Sequence, residues 1–172
     1  SFLQFPGARE VGVEFNSLSK TYGLAGARIG FCVGNHEVVE KLKTLKSNMD
    51  YGMFLPVQKA AIAAITGDQS CVEATREAYR RRRDCFCDGC TEIGWKIGRC
   101  PATMFVWAKI PDGFSSSEEF VKTLLSRAGV LVTPGSAFGG SGEGYVRIAL
   151  VKDEAEMREA IENMRKSGIF QQ

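Results

Sequence analysis

Lys20 lies in the stretch SLSKTYGLAGARIG, with Ser17 and Ser19 just before it and Arg28 eight residues on, between Gly26 and Gly30. A lysine whose amine is kept neutral by desolvation or a nearby cation is a nucleophile toward an aldehyde. The planar fork of Arg28 suits a phosphate or a carboxylate, and the flanking glycines let a backbone or ligand come close. Ser17 and Ser19 can donate hydroxyl hydrogen bonds to the same anion. An amine for an aldehyde beside a cation for a phosphate is what pyridoxal phosphate requires. The plainer reading is a loop lysine held in a surface ion pair.

Other candidate chemistry is weaker. Cys85, Cys87 and Cys90 cluster in RRRRDCFCDGCTEIG, but only Cys100 follows and the single histidine, His36, is remote. Zinc and iron–sulfur sites need a second paired ligand set, so we expect no metal and read the cysteines as free thiols of a reducing compartment. On a helix Cys87 and Cys90 share a face, whereas Cys85 and Cys87 point about 200° apart. Arg80 to Arg83 are flanked by Glu73, Glu77, Asp84 and Asp88 at helical pairing distances, which describes a solvated helix face better than a nucleic-acid patch.

The elements that must position Lys20 and Arg28 are legible. VGVEF (11–15) and RIGFCVG (28–34) are short apolar runs that read as buried strands. HEVVEKLKTLKSNM is spaced as a helix, PVQKAAIAAITG opens on Pro and closes on Gly as helices do, and a long helix runs from Asp68 to about Gly89 or Gly94. TMFVWAKI reads as a strand, SSSEEFVKTLLSRAG as a helix with Ser and Glu at its entrance, and VLVTPG and YVRIALV as strands. DEAEMREAIENMRKSG closes the chain as a helix. The second half is therefore a small α+β unit with helices on one face of a short mixed or antiparallel sheet. The two early strands lack the larger parallel sheet to which they would belong.

Composition bounds the class. The 172 residues are 44% hydrophobic and 24% charged with a net charge of +2, ordinary for a globular chain with a real core. That charge is too small to imply a nucleic-acid or anionic-membrane partner. The start SFLQFPGAREVG has no export pattern and no run approaches membrane-spanning length, so a cytoplasmic protein is expected.

SLSKTYGLAGARIG resembles the pyridoxal-phosphate attachment motif of the class I/II, fold type I aminotransferases, S-x-S-K followed by a small-x-R-x-G element. VLVTPGSAFG followed by GYVRIALV resembles that family's small-domain segment. The resemblance implies that Lys20 carries the cofactor, that Ser17 and Arg28 hold its phosphate, and that Arg147 clamps the substrate α-carboxylate. It further implies amino acid and 2-oxo acid substrates, a homodimer, and a loop at SNMDYGMFLPVQKAA aimed at the neighbouring subunit, where Tyr51 would border a substrate. Helix packing is an equal reading of Tyr51 and Phe54. That loop lacks the arginine of dicarboxylate-specific aspartate aminotransferases, placing it nearer to diaminopimelate-type and broad-specificity subgroups.

Part of the family pattern has no counterpart. Only sixteen residues precede SLSK, so the glycine-rich phosphate turn, the ring-stacking aromatic and the Asp that holds the pyridinium nitrogen have no place. The expected organisation is thus the tail of a cofactor-binding large domain over residues 1–50, an interdomain helix and small domain over 51–172, and a missing N-terminal large domain. The alternatives are a β-lyase of the same fold and a non-catalytic aminotransferase-like regulatory module.

Overall fold

The computed structural model describes residues 1–170 and divides into two compact units, Ser1–Thr75 and Arg76–Gln172.

In the first unit Gly7, at φ 78°, starts the single turn α1 (Ala8–Val11), and β1 (Val13–Ser17) follows. Val11 therefore falls in a helical turn, and the strand begins two residues later than its apolar run. Ser17 caps the one-turn helix α2 (Leu18–Thr21), and a 3-10 turn at Ala25–Ala27 leads to Arg28 in the left-handed region, φ 52°. That positive φ keeps Arg28 out of β2 (Gly30–Gly34). β1 and β2 pair antiparallel with each other, Val13 opposite Gly34 and Ser17 opposite Gly30. This corrects the parallel expectation: the turn through α2 reverses the chain, so the nearest backbone partner for each strand is the other. Neither strand is buried, and Phe15 is 74% exposed.

Three helices follow. Asn35 caps α3 (His36–Met49) by accepting from Val38 N, and α4 (Leu55–Thr66) opens with Pro near its first position. α5 (Ser70–Glu92) begins in the first unit and runs into the second.

The second unit holds the core. β3 (Phe105–Lys109), β4 (Thr133–Pro134) and β5 (Tyr145–Ala149) form an antiparallel sheet in the order β3-β5-β4. Strand alternation sends Val106, Ala108, Val146 and Ile148 inward. They meet Phe120 and Leu124 of α6 (Ser117–Ala128), Met157, Ile161 and Met164 of α7 (Glu154–Lys166), and Phe86, Cys87 and Cys90 of α5. Each fully buried large side chain contributes roughly 1.5–3 kcal/mol. β4 is shorter than VLVTPG promises, with only Thr133 and Pro134 paired to β5, opposite Arg147 and Val146. A capping box of Asp153 and Glu156 starts α7, and Ser116 caps α6 by accepting from Glu119 N. The four consecutive arginines Arg80 to Arg83 of α5 are engaged: Arg80 with Glu77, Arg81 with Glu154, Arg82 with the Leu150 carbonyl and Arg83 with Asp84. No helix among the described residues is long and apolar enough to cross a membrane.

Candidate active site

The segment 17–30 is a closed loop on one anchor. Leu18, 1% exposed, accepts at its carbonyl from Tyr22 N and Leu24 N, and its own N–H donates to Ile29 O at 3.4 Å. Ser17 faces Gly30 across the ladder, and a Cβ on Gly30 would sit 2.5 Å from Asn16 O, so only glycine closes the loop there. Ser17 and Lys20 lie at the two ends of the single turn α2, and Arg28 stands two residues before Ser17's ladder partner. Ser17 Oγ accepts from Ser19 N at 3.2 Å and donates to Ser19 Oγ at 2.9 Å; Arg28 Nη1 donates to Ala25 O at 3.0 Å. Ser17, Lys20 and Arg28 are all exposed. The donor set, two hydroxyls and a guanidinium with further N–H groups free of the Ala25 bond, has the chemistry to take a phosphate, and the Lys20 amine is open to an aldehyde. These residues fit pyridoxal phosphate.

Arg147 belongs to the second unit. It sits mid-strand in β5, opposite Trp107 on one side and Thr133 on the other, on the sheet face that the helices do not cover. Its Cζ lies 4.4 Å from the centre of the Phe105 ring and 4.5 Å from that of Phe138. Two rings thus hold the guanidinium like a slat, as cation–π contacts do. Trp107 extends the face, stacking on Tyr145 at 5.8 Å and meeting the edge of Phe138 at 5.7 Å. Arg147 Nε is buried and has no hydrogen-bond partner among the described residues. A buried N–H without an acceptor costs about 1–3 kcal/mol, and a bidentate carboxylate is the acceptor that fits a guanidinium edge.

The structure thus brings Ser17, Lys20 and Arg28 onto one loop and sets Arg147 in a separate unit. Tyr51 is 94% exposed with φ 57°, on the loop between α3 and α4. Sequence reasoning missed Phe105, Phe138 and Glu143, described below. SAFG and the alternation of TMFVWAKI marked the rings as apolar, but their convergence on Arg147 depends on strand register.

The family model for class I and II aminotransferases matches residues 7–164. The chain belongs to that family. Its members are pyridoxal-phosphate-dependent enzymes. Over 166 residues the chain is 47% identical to an LL-diaminopimelate aminotransferase of Moorella thermoacetica, covering 96% of this chain and 42% of the relative. It is 49% identical over 167 residues to the glutamate–pyruvate aminotransferase AlaC of Escherichia coli, covering 96% of this chain and 40% of that protein. The substrate-bound structure of BacF from Bacillus subtilis superposes with a TM-score of 0.90 at 39% identity, over 96% of this chain and 42% of that one. The chain therefore spans less than half the length of the relatives it matches.

Proposed function

We propose that this chain is the C-terminal portion of an aminotransferase that moves an amino group from an α-amino acid to a 2-oxo acid. The observation that carries it is Arg147, held between two rings with a buried, unpartnered Nε: a preformed receptor for the α-carboxylate that both substrates share. Ser17 and Arg28 would hold the cofactor phosphate and the Lys20 amine would hold its aldehyde carbon. Pyridoxal phosphate, when bound, supplies the electron sink for the carbanion. Lys20 Nζ would take the proton from the substrate Cα and return it on the other side of the reaction. Arg147 meanwhile fixes the carboxylate, and with it the Cα–H direction.

On this reading residues 1–50 are the tail of the cofactor-binding domain, completed by a further N-terminal part. The exposed Tyr51 and Phe54 support a homodimer in which this loop borders the partner's substrate. Six free cysteines support a cytoplasmic setting. In the full-length protein Lys20→Ala should abolish amino transfer and the visible absorbance of the bound cofactor. Retention of either would sink the assignment of Lys20. Product analysis separates transfer from elimination: a 2-oxo acid that keeps its side chain supports transfer, whereas pyruvate with ammonia contradicts it.

A further inference from the structure

We propose that Glu143 is a positioning residue that acts through Ser117 and Ser136 to hold the turn Gly135–Phe138, and with it the Phe138 ring over Arg147. The proposal rests on Arg147 as the carboxylate receptor. The Glu143 carboxylate is the hub. Its Oε1 accepts from Ser117 N at 2.5 Å and from Gly144 N at 2.8 Å, and its Oε2 accepts from Ser117 Oγ at 3.2 Å. Ser117 Oγ also lies 3.2 Å from Ser136 Oγ and accepts from Ser136 N at 3.4 Å. Ser117 is wholly buried, so its hydroxyl is a fixed bridge rather than a solvent group. With one proton to give, it directs that proton to the charged acceptor and receives from Ser136. Ser136 stands two residues before Phe138 in the same 3-10 turn, which Gly139 N closes onto Ser136 O at 3.1 Å.

Two further observations separate this role from mere helix capping. At the entrance of α6 Ser116 Oγ accepts from Glu119 N and Glu119 accepts from Ser115 N, so of these amides Glu143 takes only that of Ser117. Gly135 and Gly142 also lie back to back, so close that a Cβ on either would overlap the other's carbonyl oxygen. That pairing brings the Glu143 loop and the Phe138 turn together, and the hydroxyl bridge fixes their register. The donors around Glu143 hold its carboxyl below the usual range, so it is ionised at neutral pH.

The test uses the full-length holoenzyme with Glu143→Gln and Ser117→Ala, which lose the charge and the hydroxyl bridge respectively. Both should raise KM for the amino donor about tenfold, with kcat changed less than about twofold and cofactor affinity unchanged. In a Phe138→Ala background Glu143→Gln should add less than about twofold, because the two act through one contact. Near-UV circular dichroism should change with KM, since Trp107 meets the Phe138 ring. If Glu143→Gln lowers the yield of folded protein, Ser117→Ala decides. An unchanged KM in the variants, or effects that multiply fully with Phe138→Ala, overturns the proposal. Arg147→Lys is the control: an unchanged KM there overturns the carboxylate reading itself, whereas a raised KM there alone overturns only the role of Glu143.

Discussion

Arg147 trades stability for readiness. Its Nε is buried without an acceptor, and its plane is fixed by Phe105 and Phe138 before any ligand arrives. Lysine at this position would keep the charge but lose the fork, so Arg147→Lys in the full-length enzyme should raise KM for the amino donor about tenfold or more. On the proposed reading cofactor affinity should hold, because Ser17 and Arg28 would serve the phosphate. Arg147→Met tests the other side of the trade. A methionine fills the slot between the rings and removes the orphaned donor, so thermal melting should show equal or higher stability, by up to about 2 kcal/mol, while donor binding is lost. A melting temperature several degrees below that of the parent would show that the guanidinium was satisfied after all. Motif reading named Lys20, Ser17, Arg28 and Arg147, because each is recognisable by residue type and neighbours. It passed over Phe105 and Phe138, which matter only through the register that sets Trp107 and Thr133 against Arg147. It missed Glu143 altogether, because a glutamate in a glycine-rich loop reads as solvated until its three donors are seen.

At the scale of elements, apolar period and end signals located the main helices, and the breaks came where backbone conformation overrode composition. Val11 was drawn into a turn started by Gly7, and Arg28 was kept out of β2 by its own positive φ. The cysteines of α5 show the opposite case, a face predicted by helical spacing and then found packed. Cys87 and Cys90 are buried together, and a Cβ on Gly89 between them would press on Ile161 of α7 at 2.5 Å. Burial pushes the Cys87 thiol up to about 11 and the Cys90 thiol further still, from an ordinary 9.0. A folded-state pKa above the unfolded one stabilises the fold fully below the unfolded value and loses that contribution as pH climbs through the folded value. Stability to urea should therefore be flat in this respect up to about pH 9 and fall between about pH 9 and 11. Cys87→Ala combined with Cys90→Ala should lower the plateau through lost packing yet flatten that alkaline fall. An alkaline limb of unchanged steepness in the double variant would mean that other groups drive it.

Across the whole molecule, the two units differ in what holds them. The second buries residues from β3, β5, α5, α6 and α7 in one core, with Trp95 stacked on Phe170 at 5.2 Å and donating its indole N–H to Lys109 O. In the first unit only Ala8, Leu18 and Ala61 are buried apolar residues, while Val11, Phe15, Phe54 and Ile62 stand open. An open apolar groove of about 490 Å³, lined in part by Leu18, Ile29, Phe31 and Ile65, runs beside the loop that carries Lys20. Composition could not reveal this imbalance, because the apolar runs of the two halves look alike and only their burial differs. Local stability follows buried apolar contact, so hydrogen exchange on the 172-residue chain should find the amides of β3 and β5 protected by orders of magnitude. Those of β1 and β2 should exchange within seconds to minutes, although they are hydrogen-bonded to one another. The same chain mixed with pyridoxal phosphate, an amino acid and a 2-oxo acid should show no appreciable transfer. Its Lys20 loop would be mobile on the time scale of opening, and a displacement of about 1 Å already costs on the order of a hundredfold in rate. Equal protection in the two sheets, or turnover by this chain alone, would mean that the first unit holds its own geometry and that the open apolar surface is no sign of an incomplete fold.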